Sequence, residues 1–292
     1  MMRITIPLKR VSRDLCCSIL LTAAMPPLVF AVRPFAAASF CYQNQQEPAW
    51  LQAQLEKEKL RLNSLEIEER RDAAMRLGAL RRVEASRAVI PALTDPSPIV
   101  RVAAANAVWS LPAEESVPVL IPLLNDKDPF VRQEVAYALG GIHNRGAVAG
   151  LLERLNTDKE DGVRGAAAVA LGMIRDEEAV VPLSQALSSS RPSARGARKR
   201  KTKENEFVLR AAARALGEIG SRAGVPALIE ALSSDLLADD IKREAAQSLG
   251  RIADRSAIPS LRAATLGHDP HLSRIAFEAL HKIELNEPKK PS

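Results

Sequence analysis

Four nine-residue strings share one pattern of apolar and polar positions: VRVAAANAV from Val100, VRQEVAYAL from Val131, VRGAAAVAL from Val163 and VLRAAARAL from Val208. Aligned on their last residue they give the anchors Val108, Leu139, Leu171 and Leu216, with Leu77 before them and Leu249 and Leu280 after. The steps between anchors are 31, 31, 32, 45, 33 and 31 residues. A period of this length marks a stack in which each unit buries its apolar face only against its neighbours. It predicts six units and a terminal half-unit.

Each unit divides into two helices. In the first, apolar residues recur at helical spacing, as at Val131, Val135, Ala138, Leu139 and Ile142. Its abundant alanine predicts a close approach to neighbouring helices. Asp128-Pro129 and Asp269-Pro270 read as a side-chain cap followed by proline at the first helical position. Gly140, Gly172, Gly217 and Gly250 follow the anchor by one residue and lead towards a turn. The second helix is expected to begin near Pro118, Pro182, Pro226 or Pro259. Its apolar pairs, Leu151 and Leu155, Leu183 and Leu187, and Leu228 and Leu232, are four residues apart and so share one helix face. With two Trp, two Tyr, six Phe and 14 Gly in 292 residues, a strand-rich sandwich or barrel is excluded. The fold class is all-α.

The run Val163-Arg164-Gly165-Ala166-Ala167-Ala168-Val169-Ala170-Leu171-Gly172, followed by Ala179-Val180-Val181-Pro182-Leu183, resembles the HEAT repeat, and within it the bilin-lyase-like subtype. The resemblance covers residues 65–285. It implies a right-handed α-solenoid whose second helices line a concave face. It implies no single reaction, because such scaffolds serve many functions. On that frame, helical phase puts Glu153, Arg154, Gln185, Glu230 and Arg262 at exposed positions of the second helices. Their mixed signs favour a polar protein partner over a uniform polyanion.

Asp95/Arg101, Asp126/Arg132 and Asp158/Arg164 recur six residues apart. Tying each inter-helix turn to the next repeat is the stronger reading, because a stack needs periodic interface terms. An arginine ladder for anions is the weaker one. Later repeats carry Leu209 and Lys242 at the Arg position, so the pair is expected to be lost there.

The amino terminus has the order of a secretory signal: Arg3, Lys9, Arg10 and Arg13, then an apolar stretch from Leu15 to Val32, then Ala36-Ala37-Ala38. Pro26-Pro27 disfavours a stable spanning helix there, and cleavage near Ala38 with export to the periplasm or cell envelope is the reading adopted. Without cleavage, this segment would anchor the chain to a membrane. Residues 39–64 form a polar linker and a helix, with Trp50, Leu51, Leu55 and Leu62 near helical spacing, expected to cover the open end of the stack. Residues 286–292, with Pro288 and Pro291, form a tail expected to be disordered.

Charge changes the picture in one place. The net charge of +6 falls to +2 once residues 1–38, with five basic residues and one acid, are removed. The 45-residue step holds an insertion, residues 188–204, whose seven cations are Arg191, Arg195, Arg198, Lys199, Arg200, Lys201 and Lys203. Like charges with Ser, Pro and Gly predict a projecting loop, a candidate contact for an anionic envelope component or an acidic protein. Nucleic acid is disfavoured, because the loop has no interleaved aromatics for base stacking.

Catalytic and cofactor motifs are absent: there is no Gly-rich phosphate loop, no GxSxG and no HExxH. Cys16, Cys17 and Cys41 all precede the repeats, so the repeats contain no thiol ligand or nucleophile. His268 and His271 flank Asp269-Pro270, which favours a surface turn over a metal site. Deoxyhypusine hydroxylase has a similar architecture, but its iron ligands come from His-Glu dipeptides. Here His143 precedes Asn, His268 precedes Asp, His271 precedes Leu and His281 precedes Lys. Bilin lyase activity is implied by the family alone, with no bilin-handling cysteine or aromatic-rich pocket. The resulting expectation is an exported, non-enzymatic scaffold without cofactor or metal that binds a protein. A divergent HEAT-family enzyme is the alternative.

Overall fold

A computed structural model of the chain describes residues 49–188, 190–191, 202–203 and 205–285. The proposed signal, the first part of the linker, most of the basic insertion and the tail lie outside the described residues.

Fourteen α-helices make up the described region. Helix α1 (Ala49–Arg61) precedes the repeats. The first helices of successive repeats are α2 (Ile67–Ala79), α4 (Pro98–Ala107), α6 (Pro129–Ile142), α8 (Asp161–Ile174), α10 (Glu206–Ile219), α12 (Asp239–Ile252) and α14 (Pro270–Leu285). The second helices are α3 (Val83–Val89), α5 (Ala113–Leu120), α7 (Val148–Thr157), α9 (Val180–Ser188), α11 (Val225–Ser233) and α13 (Ile258–Thr265). Six hairpins and a lone fourteenth helix match the period of the anchors. Every anchor from Leu77 to Leu249 is sealed from solvent, as are Leu151, Leu183 and Leu228 on the second helices. Each such leucine contributes about 1.5–3 kcal/mol by burial.

The first helices pack against one another all along the stack. The glycines after the anchors explain how. A Cβ on Gly140 would lie 2.7 Å from the Ala170 Cα, one on Gly172 2.7 Å from the Ala215 Cα, and one on Gly250 2.7 Å from the Ala279 Cβ. These glycines therefore sit inside helices, where backbones nearly touch, and lead into the turns that follow. The turns come three to four residues later. His143, Arg175, Gly220 and Ala253 take the left-handed conformation, and Asn144, Asp176, Ser221 and Asp254 then accept the N–H two residues on.

Capping at Asp128 and Asp269 is as expected: Asp128 accepts from Phe130 N–H, and Asp269 from His271 and Leu272 N–H. Helices α11 and α13 carry their prolines at the start. The second repeat differs, since α5 begins at Ala113 and Pro118 lies within it. The chain passes into a 3-10 turn at Ile121–Asn125, whose own Pro122 also lacks an N–H donor. Helix α1 buries Leu51 and packs on α2 and α3, while Trp50 stays exposed. Its fully buried Glu58 receives Gln54, Arg61 and Arg76.

The arginine–aspartate pairs form the joints. Arg70 grips Asp95 at 2.7 and 3.0 Å, Arg101 grips Asp126 at 2.7 and 2.7 Å, and Arg132 grips Asp158 at 2.8 and 2.8 Å. Each arginine reaches one repeat ahead, and its Nη1 also donates to a carbonyl of its own preceding turn, at Ser64, Asp95 or Asp126. Arg101 is only 5% exposed, so these groups are structural and do not form an anion ladder. Burial pushes the three aspartates up. Hydrogen bonds from arginine and from the N–H two residues on outweigh it and hold the carboxyls below the usual range. On α10, Leu209 stands at the arginine position and the joint is missing there, as expected, but it returns on α12. Arg243, one residue past Lys242, donates to Asp269 at 2.7 Å.

Within the insertion, the described residues 190–191 and 202–203 form a short strand pair. Strands β1 (Ser190–Arg191) and β2 (Thr202–Lys203) pair antiparallel, Ser190 opposite Lys203 and Arg191 opposite Thr202. The ends of the insertion therefore lie side by side between α9 and α10.

Candidate interaction surfaces

Counted from each anchor, the residues nine, six and two positions earlier stand on the outer face of the first helix. All are exposed or half-buried except Gly165. On α4 they are Ile99, Val102 and Asn106; on α6, Phe130, Gln133 and Tyr137; on α8, Gly162, Gly165 and Val169. None is charged. On α10 they are Phe207, Arg210 and Arg214; on α12, Asp240, Arg243 and Gln247; on α14, His271, Arg274 and Glu278. From α4 onward the layer thus runs from an uncharged half (α4, α6, α8) to a charged half (α10, α12, α14); α2 before them carries Glu68, Arg71 and Met75 at the same positions.

An open groove of about 520 Å³ lies where α2 meets the uncharged half, between α2, α4 and the start of α6. Met75, Ile99, Val102, Ala103, Asn106 and Phe130 line it, together with Gly78, Ala79, Ala107, Arg71 and Arg81. Met75 is 57%, Ile99 38% and Phe130 50% exposed. Arg71 is held by Glu68 and Asp72. Arg81 takes the left-handed conformation after α2, its N–H donating to the Gly78 carbonyl at 3.1 Å.

Trp109 belongs to the same half. It occupies the position that is glycine in most repeats, and α4 stops at Ala107, giving way to a 3-10 turn at Val108–Ser110. Its ring, 63% exposed, lies on Gly141, where a Cβ would come within 2.5 Å of it. These exposed apolar residues were not picked out from the sequence. A position-by-position comparison of repeats finds them, because they replace the glycine or charged residues that other repeats carry.

Glu153, Gln185, Glu230 and Arg262 are exposed on the second helices, as expected. Glu230 accepts from Ser188 Oγ at 3.3 Å, and Arg262 lies 3.6 Å from Glu284. Arg154 is a correction. Its side chain is 13% exposed, paired with Glu153 and 3.7 Å from Asp158, with Nε buried and without a hydrogen-bond partner. It precedes Leu155 by one residue, which turns it onto the flank of the buried stripe and towards the Arg132–Asp158 joint. Of the basic insertion, Arg191 and Lys203 lie in the two-residue ladder, whereas Arg195, Arg198, Lys199, Arg200 and Lys201 lie outside the described residues.

His143 donates from Nδ1 to the Met173 carbonyl at 2.7 Å, a link between repeats. Among the described residues, no group of three or more His, Cys, Asp or Glu is placed to hold a metal, and no helix is long and apolar enough to cross a membrane.

Two-helix units joined side by side through one repeated contact define an α-solenoid. The chain belongs to the HEAT-repeat family. The family model for HEAT repeats matches residues 59–136, 86–172 and 117–200, and that for the PBS lyase HEAT-like repeat matches 208–234 and 241–266. Among solved structures, YibA of Escherichia coli is similar at 19% identity and a TM-score of 0.55, over 80% of this chain and 82% of its own. An engineered protein is similar at 23% identity and 0.51, over 79% and 68%. The complex of CpcE and CpcF of phycocyanin lyase from Nostoc sp. PCC7120 is similar at 23% and 0.47, over 82% and 90%. Comparison with curated protein sequences finds no significant match.

Proposed function

We propose that the chain is an exported, non-catalytic scaffold or adaptor that binds another protein. The observation that carries this reading is the exposure of Met75, Ile99, Trp109 and Phe130 across neighbouring repeats. Large apolar side chains gathered on one face mark a binding surface, whereas singly scattered ones do not. The mixed charges of Glu153, Gln185, Glu230 and Arg262 on the second helices suit additional polar contacts. The basic insertion adds attraction for an acidic partner or an anionic envelope component, which salt screens. Export rests on the basic, apolar and small-residue order of residues 1–38, with membrane anchoring if that segment is retained.

The test is crosslinking on whole cells followed by capture, comparing the mature protein with a version lacking residues 189–204 and with untagged cells. One envelope protein captured specifically, and capturing this chain in return, is the expected result. Its loss with the insertion assigns recognition to the cations, and its retention assigns it to the helical surfaces. Absence of any specific partner in both versions removes the scaffold reading. An activity screen for a divergent HEAT-family enzyme then follows.

A further inference from the structure

The groove between α2, α4 and α6 has chemistry that narrows its ligand. Its side walls are apolar, and no carboxylate is among its lining residues. Its two cations are not equivalent. Arg71 is neutralised by Glu68 and Asp72, whereas the Arg81 guanidinium is exposed and has no hydrogen-bond or ion-pair partner among the described residues. The Asn106 amide, in the groove, is likewise exposed and unengaged. The volume, about 520 Å³, is that of a pocket for a few side chains and is too small for a folded domain.

We infer that this groove takes a short segment of a partner protein bearing two or three bulky apolar side chains and one carboxylate, the carboxylate set against Arg81. Met75, Ile99 and Phe130 supply the apolar contact, and burying them against a ligand is the driving force. Arg81 supplies register and charge selection, since a guanidinium binds a carboxylate through paired hydrogen bonds. Its backbone, fixed after α2 by the bond to Gly78, presents the side chain from a rigid point. Asn106 is placed to hold a peptide group of the segment. Arg175 provides an internal control, because it occupies the equivalent left-handed position after α8 and does not line the groove. The inference rests on the protein-binding reading and narrows it to one surface and one ligand chemistry.

The experiment is panning of a displayed random-peptide library on the full chain, followed by affinity measurements on synthetic copies of the selected peptides. The expected peptides combine bulky apolar residues with Asp or Glu. The double variant Met75→Ser/Phe130→Ser and the variant Arg81→Glu should each weaken binding about tenfold or more, equivalent to about 1.4 kcal/mol. Arg175→Glu and Phe277→Ser should leave it within about twofold. All substituted side chains are exposed, and thermal melts confirm that each variant folds. Peptides that bind equally well to the double variant overturn the groove but leave protein binding elsewhere intact. Groove-dependent peptides indifferent to Arg81→Glu overturn the carboxylate. Self-association in sedimentation that disappears in the double variant replaces the peptide with a second copy of the chain. No selected peptide and no self-association overturns the inference outright.

Discussion

Helices α4, α6 and α8 on one side of the insertion, and α10, α12 and α14 on the other, share their inward residues and differ in their outward ones. Inward, both halves use buried alanine, an anchor leucine or valine, and close backbone contact at Gly140, Gly172, Gly217 or Gly250. Outward, the first half is uncharged, and its α4 and α6 meet α2 at the groove. The second half pairs its charges within itself, Arg214 with Glu218 at 2.9 Å, Arg210 with Asp240 at 3.4 Å and Arg274 with Glu278 at 3.5 Å. A repeat must satisfy the same close helix-to-helix packing every time, so its inward alanine, anchor and glycine positions cannot drift. Recognition is written where repeats stop resembling each other.

Acid should separate the halves most strongly. Asp95, Asp126 and Asp158 bind protons less tightly folded than unfolded, so their contribution is complete above the ordinary carboxylate value of about 3.9 and is lost as pH falls through the folded values. In the second half Asp254 and Asp269 share that sign, held down by hydrogen bonds from Ser256 and Arg243, but Glu244 on α12 has the opposite one. Burial raises its carboxyl, so acidification favours the folded form there. Hydrogen exchange followed down the pH scale should show amides of α4–α8 losing protection before those of α12. Simultaneous loss would break the comparison.

Replacing Arg101 with methionine leaves the Asp126 charge unpaired and should cost about 3 kcal/mol in chemical unfolding. Arg243→Met should cost less, because Arg243 is 35% exposed in its pair and makes a single 2.7 Å bond to Asp269. Equal costs would mean that the joint is as tight in both halves. Gly140→Ala and Gly250→Ala should each cost about 1–3 kcal/mol by overpacking, and near-equality would show that inward constraint is shared. The smallest effect is Glu244→Gln, which removes a buried charge whose Oε1 has no hydrogen bond. It should stabilise the fold slightly at neutral pH, by under about 1 kcal/mol, read as a small rise in melting temperature, and leave acid stability unchanged.

Much of this architecture was legible in the sequence because its signals are local and repeated. The anchor leucines, the Asp-Pro caps and the four-residue leucine pairs each recur often enough to set the register. The link from each inter-helix turn to the next repeat was legible too, although its first member, Arg70, was not picked out. Its return at Arg243 was hidden, since the arginine shifts by one residue and only packing shows that the side chain still reaches Asp269. Arg154 was misplaced because a flank position looks exposed until the neighbouring joint is known. The groove escaped notice because Met75, Ile99 and Phe130 are far apart in sequence and ordinary singly. Only the side-by-side placement of α2, α4 and α6 makes them one surface.

The joints also give the stack a direction. Each arginine belongs to one repeat and each receiving aspartate to the next, so cutting the chain from opposite ends leaves different remnants. Truncation from the carboxyl side strands an arginine that still holds carbonyls of its own turn, as Arg101 holds those of Asp95 and Pro96. Truncation from the amino side strands an aspartate in a half-buried turn, left with only the backbone bond that Asp126 accepts from Asp128 N–H. The stack is therefore wired like a row of hooks and eyes, and it should fray more readily from its last repeat than from its first.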